Sequence, residues 1–344
     1  MKAARGQESH IKAVMQDRYG SPDLLRLADV PTPTPLAGEV LVRVRAASVH
    51  PDVWHTVTGV PYVLRLMGSG LRRPRNPIPG TDLAGVVEVV GPNVTSFTVG
   101  DEVYGENLRM AQWKNAGTFA EYVAVPQERL ARKPPGLTFE QAAAVPASGF
   151  IALSAVRDDA QVSPGQKVLV NGAGGGVGIF AVQLATAYGA VVTAVDSAGK
   201  LDTLRSLGAA HVIDYREQDY TAAGEQYDVI IDVAMSHRLR DVQRALAPNG
   251  VYVFIGHDHF GSTSGRWFGS LGRLLRQVLA SLRDRRLRVR FSSPAPDRLA
   301  VMTAHLLSGD VVPIVDRTFP LDAVPEAMRY MAQEDAIGKV VITV

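Results

Sequence analysis

An apolar run that stops at a cluster of glycines and restarts at helical spacing leaves a chain few ways to fold. Lys167-Val-Leu-Val170 reads as a buried strand, Asn171-Gly-Ala-Gly-Gly-Gly-Val-Gly178 as a glycine turn, and Ile179-Phe-Ala-Val-Gln-Leu-Ala185 as the start of a helix. Within the turn, Ala173-x-Gly175-x-x-Gly178 matches the dinucleotide fingerprint with alanine in its first slot. The middle glycine lets backbone approach a pyrophosphate, and the last lets helix pack closely on strand. Phosphates would then sit at the helix N-terminus, where free N–H groups and the dipole favour an anion. Ala173, Gly174, Gly175, Gly176, Val177 and Gly178 are therefore the expected phosphate cradle. A second strand, Ala190-Val-Val-Thr-Ala-Val195, ends on Asp196, eighteen residues past Gly178.

At 344 residues the chain has room for two domains. Its first third is rich in strands and punctuated by Pro and Gly. Ile11-Lys-Ala-Val-Met15, Glu39-Val-Leu-Val-Arg-Val-Arg45 and Leu83-Ala-Gly-Val-Val-Glu-Val-Val90 alternate or run apolar over strand lengths. That pattern predicts an irregular β-barrel with few helices. From about Pro134 helices alternate with strands. Helices are expected over Phe139 to Leu153, Ile179 to Tyr188, Lys200 to Leu207 and His237 to Leu246. Strands are expected over Lys167 to Val170, Val191 to Val195, His211 to Ile213, Val229 to Val233 and Val251 to Ile255. Such alternation predicts an α/β fold with a doubly wound parallel sheet. The chain closes on Gly338-Lys-Val-Val-Ile-Thr-Val344, a strand expected to return to the first domain. The expected division is 1–132 with 293–344 for the barrel domain, and 133–292 for the dinucleotide-binding domain.

A formal net charge of +2 gives no whole-molecule case for nucleic acid or membrane binding. Without cysteine there is no disulfide, iron–sulfur cluster, thiol nucleophile or thiolate zinc site. The lack of cysteine fits a reducing cytosol, and Met1 to His10 has no apolar core of a signal peptide, so a cytoplasmic protein is expected. Ser163 and Ser236 have no evident His–acid partners, which leaves a nucleophilic hydrolase unsupported. His257-Asp-His259 lacks a third nearby ligand and reads as a loop. One segment stands apart. From Arg266 to Arg290 eight arginines face a single acid, Asp284, among leucines and Val278 at helical spacing. That is either an ordinary solvated helix or a surface for a membrane or another anionic partner.

Further motifs fall in a recognisable order. They are Pro79-Gly-Thr-Asp-Leu-Ala-Gly85, Val89-Val-Gly91, Val99-Gly-Asp-Glu-Val-Tyr104, Gly117-Thr-Phe-Ala-Glu-Tyr122, the glycine turn, Leu207-Gly-Ala-Ala-His-Val-Ile-Asp-Tyr215 and Gly338-Lys-Val-Val341. In this order and spacing the chain resembles the medium-chain dehydrogenase/reductase superfamily, and within it the zinc-independent quinone oxidoreductase branch. The resemblance implies a GroES-like catalytic domain, a Rossmann domain and NAD(P)(H)-dependent hydride transfer in the cleft between them. It also implies a homodimer, for which an unpaired sheet edge near Val251 to Ile255 supplies a physical motive.

Zinc-dependent relatives bind their catalytic metal at positions that match His50, Thr81 and Ser148 here. One imidazole and two hydroxyls make a poor zinc site, so no metal is expected. Without a Lewis acid the feasible chemistry is hydride donation to a small apolar acceptor that is already electrophilic, a quinone or an α,β-unsaturated carbonyl. His50-Pro-Asp52 stands where the family commonly carries Asn-Pro-x-Asp, and His50 with Asp52 is the candidate proton-donating pair. Tyr62 is a further candidate donor, with Tyr104 as another. Trp54, Tyr62, Leu66, Trp113 and Trp267 are expected to line an apolar pocket.

For the cofactor two signals conflict. Asp196 sits where an acid accepts from a ribose 2′-OH and repels a 2′-phosphate, which favours NAD(H). Ser197, Lys200 and Tyr215 match positions that hold the 2′-phosphate in NADPH-dependent relatives. NADP(H) is the favoured reading and NAD(H) stays open. By the same resemblance the backbone of Gly256 and His257 passes near the nicotinamide. A cofactor-binding protein with little turnover, acting in recognition, is the alternative class, because fold does not fix function.

Overall fold

The computed structural model describes residues 9–108, 115–256, 266–268, 272, 279–282, 284, 286–289 and 297–344. The chain opens with an antiparallel pair, β1 (His10–Met15) and β2 (Arg26–Pro31). A larger sheet is built on β3 (Glu39–Val49), whose buried positions are interrupted only at Arg43 and Arg45. β4 (Asp82–Val90) lies antiparallel beside β3, followed by β5 (Glu102–Glu106). β6 (Tyr122–Pro126) pairs with β3 and β7 (Leu130–Arg132) with β5.

The second sheet is wholly parallel. Its strands are β8 (Lys167–Asn171), β9 (Val191–Asp196), β10 (His211–Asp214), β11 (Tyr227–Asp232), β12 (Leu246–Phe254) and β13 (Leu287–Val289). They lie in the order β10-β9-β8-β11-β12-β13. β8 reads almost continuously apolar because both of its faces are covered. The order reverses between β8 and β11, and a doubly wound sheet opens its binding crevice at such a switch point, outside the carboxyl ends of the strands. β14 (Val315–Pro320) and β15 (Lys339–Thr343) then join the first sheet, with β15 antiparallel to β3 and Val340 opposite Val49.

Helices fill the space between and around the sheets. α1 (Pro51–Thr58) follows β3 directly. The expected helix over Phe139 to Leu153 is two helices, α2 (Phe139–Ala143) and α3 (Pro146–Leu153). Pro146 has no N–H to continue the first helix, but suits the first turn of a second. α2 and α3 share one core with Ala46 and Ala84 of the first sheet and Val168 and Val170 of the second. α4 (Gly178–Ala187) buries eight consecutive residues. Its Gln183 is satisfied inside, donating to the Ile179 and Val312 carbonyls and accepting from the Val312 N–H. Further helices are α5 (Leu201–Ser206), α6 (Leu239–Ala245), α7 (Arg298–Ser308) and α8 (Val324–Met331).

One expectation is corrected by the sheet order. Val251 to Ile255 is not an edge, because β13 pairs with β12 through Tyr252, Val253 and Phe254. Leu287 to Val289 lie inside the long basic segment with no strand-like pattern of their own, so three residues of strand are not visible in sequence. Among the described residues no strand pairs with the far side of β13. An edge-to-edge homodimer would therefore form there, and a monomer mass by light scattering at micromolar concentration would remove that expectation.

Tight packing of α4 on β8 generates a second prediction. A Cβ at Gly178 would lie 2.2 Å from the Gly172 carbonyl oxygen and 2.6 Å from the Ala173 backbone. Neither neighbour is a flexible side-chain end. Gly178→Ala should cost about 1–3 kcal/mol through this overlap. A melting temperature equal to that of the parent chain would show that the turn yields more easily.

Candidate active site in the inter-sheet crevice

The glycine turn leaves β8 through Gly172, whose φ of 80° is left-handed and suits glycine. Its carbonyl accepts the Gly175 N–H at 3.3 Å. The tight turn thus falls one residue before Ala173, and Ala173 itself is buried in the core. The N–H groups of Gly176 and Val177 have no acceptor among the described residues, and they sit just ahead of α4. Two free donors at a helix start favour an anion.

A cation stands beside them that the sequence reading did not single out. Lys339 opens β15 and is 2% exposed. Its Nζ donates to Ser148 Oγ at 3.0 Å, its one hydrogen bond among the described residues. Its stem passes 3.1 Å from where a Gly176 Cβ would lie. Burial pushes the Lys339 ammonium below the usual lysine range, while Asp82 and Asp52 hold it up. An ammonium with three donors and one partner has capacity left for an anion in the crevice. The signal available in sequence was a lysine heading an otherwise apolar strand.

At the other end of the turn, Asp196 is engaged on both oxygens. Oδ2 accepts the Gly174 N–H at 2.7 Å and Oδ1 accepts the Ser197 N–H at 2.8 Å. Lys200 Nζ is 3.6 Å from Asp196 Oδ1 and donates to the Glu334 carbonyl at 3.0 Å. The Tyr215 N–H bonds to the Asp196 carbonyl, and its ring is exposed beside Arg216. Asp196, Ser197, Lys200 and Tyr215 are thus brought together as a charged corner next to the cradle.

The reacting end is built on the first sheet. His50 follows β3, precedes α1 and is buried. Its Nε2 lies 2.6 Å from Thr81 Oγ1, which donates to Asp82 Oδ1 at 3.2 Å. Asp82 Oδ2 accepts from Ser48 Oγ at 2.8 Å and from the Ala147 N–H at 3.3 Å. With the Thr81 hydroxyl proton committed to Asp82, the network assigns a proton to Nε2 of His50. Nδ1 then faces Asp52 Oδ2 at 3.9 Å. Burial holds the His50 imidazole below its ordinary range, against the opposing pull of Asp82 and Asp52.

These bonds also test the metal that relatives of this fold carry. His50 and Thr81 are bonded to one another, and Ser148 is bonded to an ammonium. A divalent cation at these donors would have no anionic ligand and a lysine charge beside it, so the set does not suit zinc.

Other candidates lie further off. Tyr62 packs edge-on against Trp267 with ring centroids 5.3 Å apart, under the Arg65 guanidinium, and no hydrogen bond among the described residues joins it to His50 or Asp52. Tyr104 is fully buried, its hydroxyl bonded to Thr303 Oγ1 at 2.7 Å and pushed up to about 12 by burial, which makes it core rather than donor. Gly256, with φ 55°, follows β12 and its N–H bonds to the Asp232 carbonyl at 3.3 Å. Asp232 was overlooked in sequence. Its buried carboxyl accepts from Asn171 Nδ2, the Met235 N–H and the Tyr252 hydroxyl, and so ties the carboxyl ends of β8 and β11 to β12 at the crevice floor. His257, His259 and Trp113 lie outside the described residues.

Comparisons with known proteins agree with this fold. Residues 36–135 match the alcohol dehydrogenase GroES-like domain model, and residues 207–342 match a zinc-binding dehydrogenase model. A 2-methylene-furan-3-one reductase from Solanum lycopersicum is 33% identical, over 97% of this chain and 79% of that protein. A quinone oxidoreductase from Homo sapiens is 30% identical over 98% of this chain and 99% of its own length. Among solved structures, the quinone oxidoreductase from Coxiella burnetii superposes with a TM-score of 0.80 at 26% identity, covering 98% of this chain and 100% of that one. Two sheets, a crevice at the switch point and relatives matched nearly end to end place the chain in the medium-chain dehydrogenase/reductase superfamily, in its quinone oxidoreductase-like branch.

Proposed function

We propose that the protein is a zinc-independent NAD(P)H-dependent reductase of quinones or α,β-unsaturated carbonyls. The observation that carries this reading is the bonding of His50 to Thr81 and of Ser148 to Lys339 at the positions relatives use for a catalytic metal. An alcohol has no metal Lewis acid there to lower the pKa of its hydroxyl, whereas an acceptor conjugated to a carbonyl is already electrophilic.

The Gly176 and Val177 N–H groups and the Lys339 ammonium suit the phosphates of a dinucleotide, and the Asp196 corner suits its adenosine ribose. Bound there, a reduced nicotinamide supplies the hydride. The chain supplies the rest. Hydride addition to an enone or quinone leaves an oxyanion that must gain one proton. Thr81 and Asp82 hold the Nε2 proton of His50, so a second proton enters at Nδ1, facing Asp52, when the imidazolium forms against the cost of burial. Nδ1 gives that proton to the product oxyanion and regains one from solvent. NADP(H) is the proposed cofactor, because both Asp196 oxygens are occupied by backbone N–H groups and Lys200 stands beside them.

The first test is oxidation of NADPH and NADH against a panel of quinones and enones. Turnover with such acceptors is expected, and His50→Ala should lower kcat by about 10²–10⁴-fold while cofactor affinity holds. Because the donor is the charged form of a group held below 6.5, kcat should fall as pH rises through that lowered value. Asp52 raises the His50 value, so Asp52→Asn should move the falling limb to lower pH. An unchanged limb would remove the pair from proton transfer. Cofactor binding without turnover on any acceptor would favour the recognition role.

Cofactor titrations followed by nicotinamide fluorescence separate the two lysines. Lys339→Met should weaken NADPH and NADH alike by roughly 10–100-fold, the loss of a charge-assisted contact. Lys200→Met should weaken NADPH by a similar factor and leave NADH within a few-fold. Equal losses for both cofactors in Lys200→Met would mean that the ribose phosphate is not read there.

A further inference from the structure

Two stretches far apart in sequence meet beside Tyr62, and both are almost free of acids. From Val53 to Thr81 there is no Asp or Glu but four arginines, Arg65, Arg72, Arg73 and Arg75. The second stretch is the start of the 266–290 segment, with its eight arginines and one acid. The Tyr62 N–H bonds to the Arg266 carbonyl at 2.8 Å and the Val63 N–H to the Trp267 carbonyl at 3.1 Å. Arg65 is used inside this junction, stacked on Tyr62 and Tyr19 and bonded to the Gly59 carbonyl. The following loop is fixed as well, since the Arg75 N–H bonds to the Ser69 carbonyl at 3.0 Å and Tyr19 Oη to the Gly70 carbonyl at 2.7 Å.

What this fixed surface presents is unusual for one facing only water. Leu66 is 74% exposed, Leu71 64%, Trp267 70% and Phe268 64%. Arg72, Arg73 and Arg75, which follow Leu71 in the chain, are exposed as well, and no ion pair among the described residues includes them. We propose that this face docks on an anionic lipid bilayer. The leucines and aromatic rings enter the headgroup boundary, and the three arginines meet lipid phosphates. Charge selects this occupant. A second copy meeting the same face in a two-fold contact would set arginine against arginine. A nucleic acid would satisfy the arginines and leave Leu66 and Leu71 without a partner. Leu66 and Trp267, expected from sequence to line a pocket, are instead on this exposed face.

The test is flotation of the full-length protein with phosphatidylcholine vesicles, with and without phosphatidylglycerol. Binding is expected only with the anionic lipid, and should weaken as salt rises. Arg72→Gln/Arg73→Gln/Arg75→Gln should lower the partition coefficient about 100-fold, given the usual contribution of each basic residue near an anionic surface. Trp267→Ser/Phe268→Ser should lower it about tenfold or more, with circular dichroism unchanged in both variants. No binding to anionic vesicles overturns the proposal, as does equal binding to neutral ones. Retained binding in Trp267→Ser/Phe268→Ser, together with equal affinity for duplex DNA, would make the face a general polyanion site instead. Loss of a dimer in the arginine variant would assign it to a second copy.

Discussion

The crevice depends on the passage of the last strand beneath the glycine turn. The Gly338 N–H bonds to the Gly174 carbonyl at 2.9 Å, and the Lys339 N–H bonds to the Ile314 carbonyl at 3.0 Å. One residue later β15 is pairing with β3, the strand that delivers His50. The glycine turn of one sheet and the His50 end of the other are therefore held by the same few residues of backbone. Gly338 has φ 78°, and a Cβ there would lie 2.5 Å from the Ile314 carbonyl oxygen, so the close approach requires glycine.

Charge inside this junction is arranged so that each buried group sees a partner of opposite sign or a donor. Asp82 accepts from Ser48, Thr81 and the Ala147 N–H, and its field supports both His50 and Lys339. Burial alone drives the imidazole and the ammonium towards neutrality, and the carboxyls resist it. The outcome is a junction in which His50 and Lys339 are buried with Asp82 between them in the balance.

Long, periodic features were legible because they are local. The glycine turn, its flanking strand and helix, and the alternation after Pro134 each declare themselves within a few turns of chain, and the parallel sheet follows. Where a signal depended on a partner distant in sequence, reading failed or stayed open. β13 is three residues long and is defined only by β12 beside it. The break between α2 and α3 was visible as Pro146, yet apolar spacing on both sides hid it. Lys339 and Asp232 both fall in strands the sequence predicts, and their roles depend on partners far away in the chain.

By itself the sequence determined the architecture, the place of the glycine turn between β8 and α4, and the absence of thiolate chemistry. All of these follow from residue type and short-range spacing. Only the tertiary structure decided which groups share a crevice. His50, Thr81, Asp82, Ser148 and Lys339 come from β3, α3, β15 and the start of β4, and nothing in their spacing couples them. The tautomer of His50, the engagement of Asp196 with Gly174, and the meeting of two arginine-bearing stretches at Tyr62 are likewise set by contacts between distant segments. Hydrogen bonds and burial act over a few ångströms in space, and a linear pattern records such distances only when the chain itself is short between the partners.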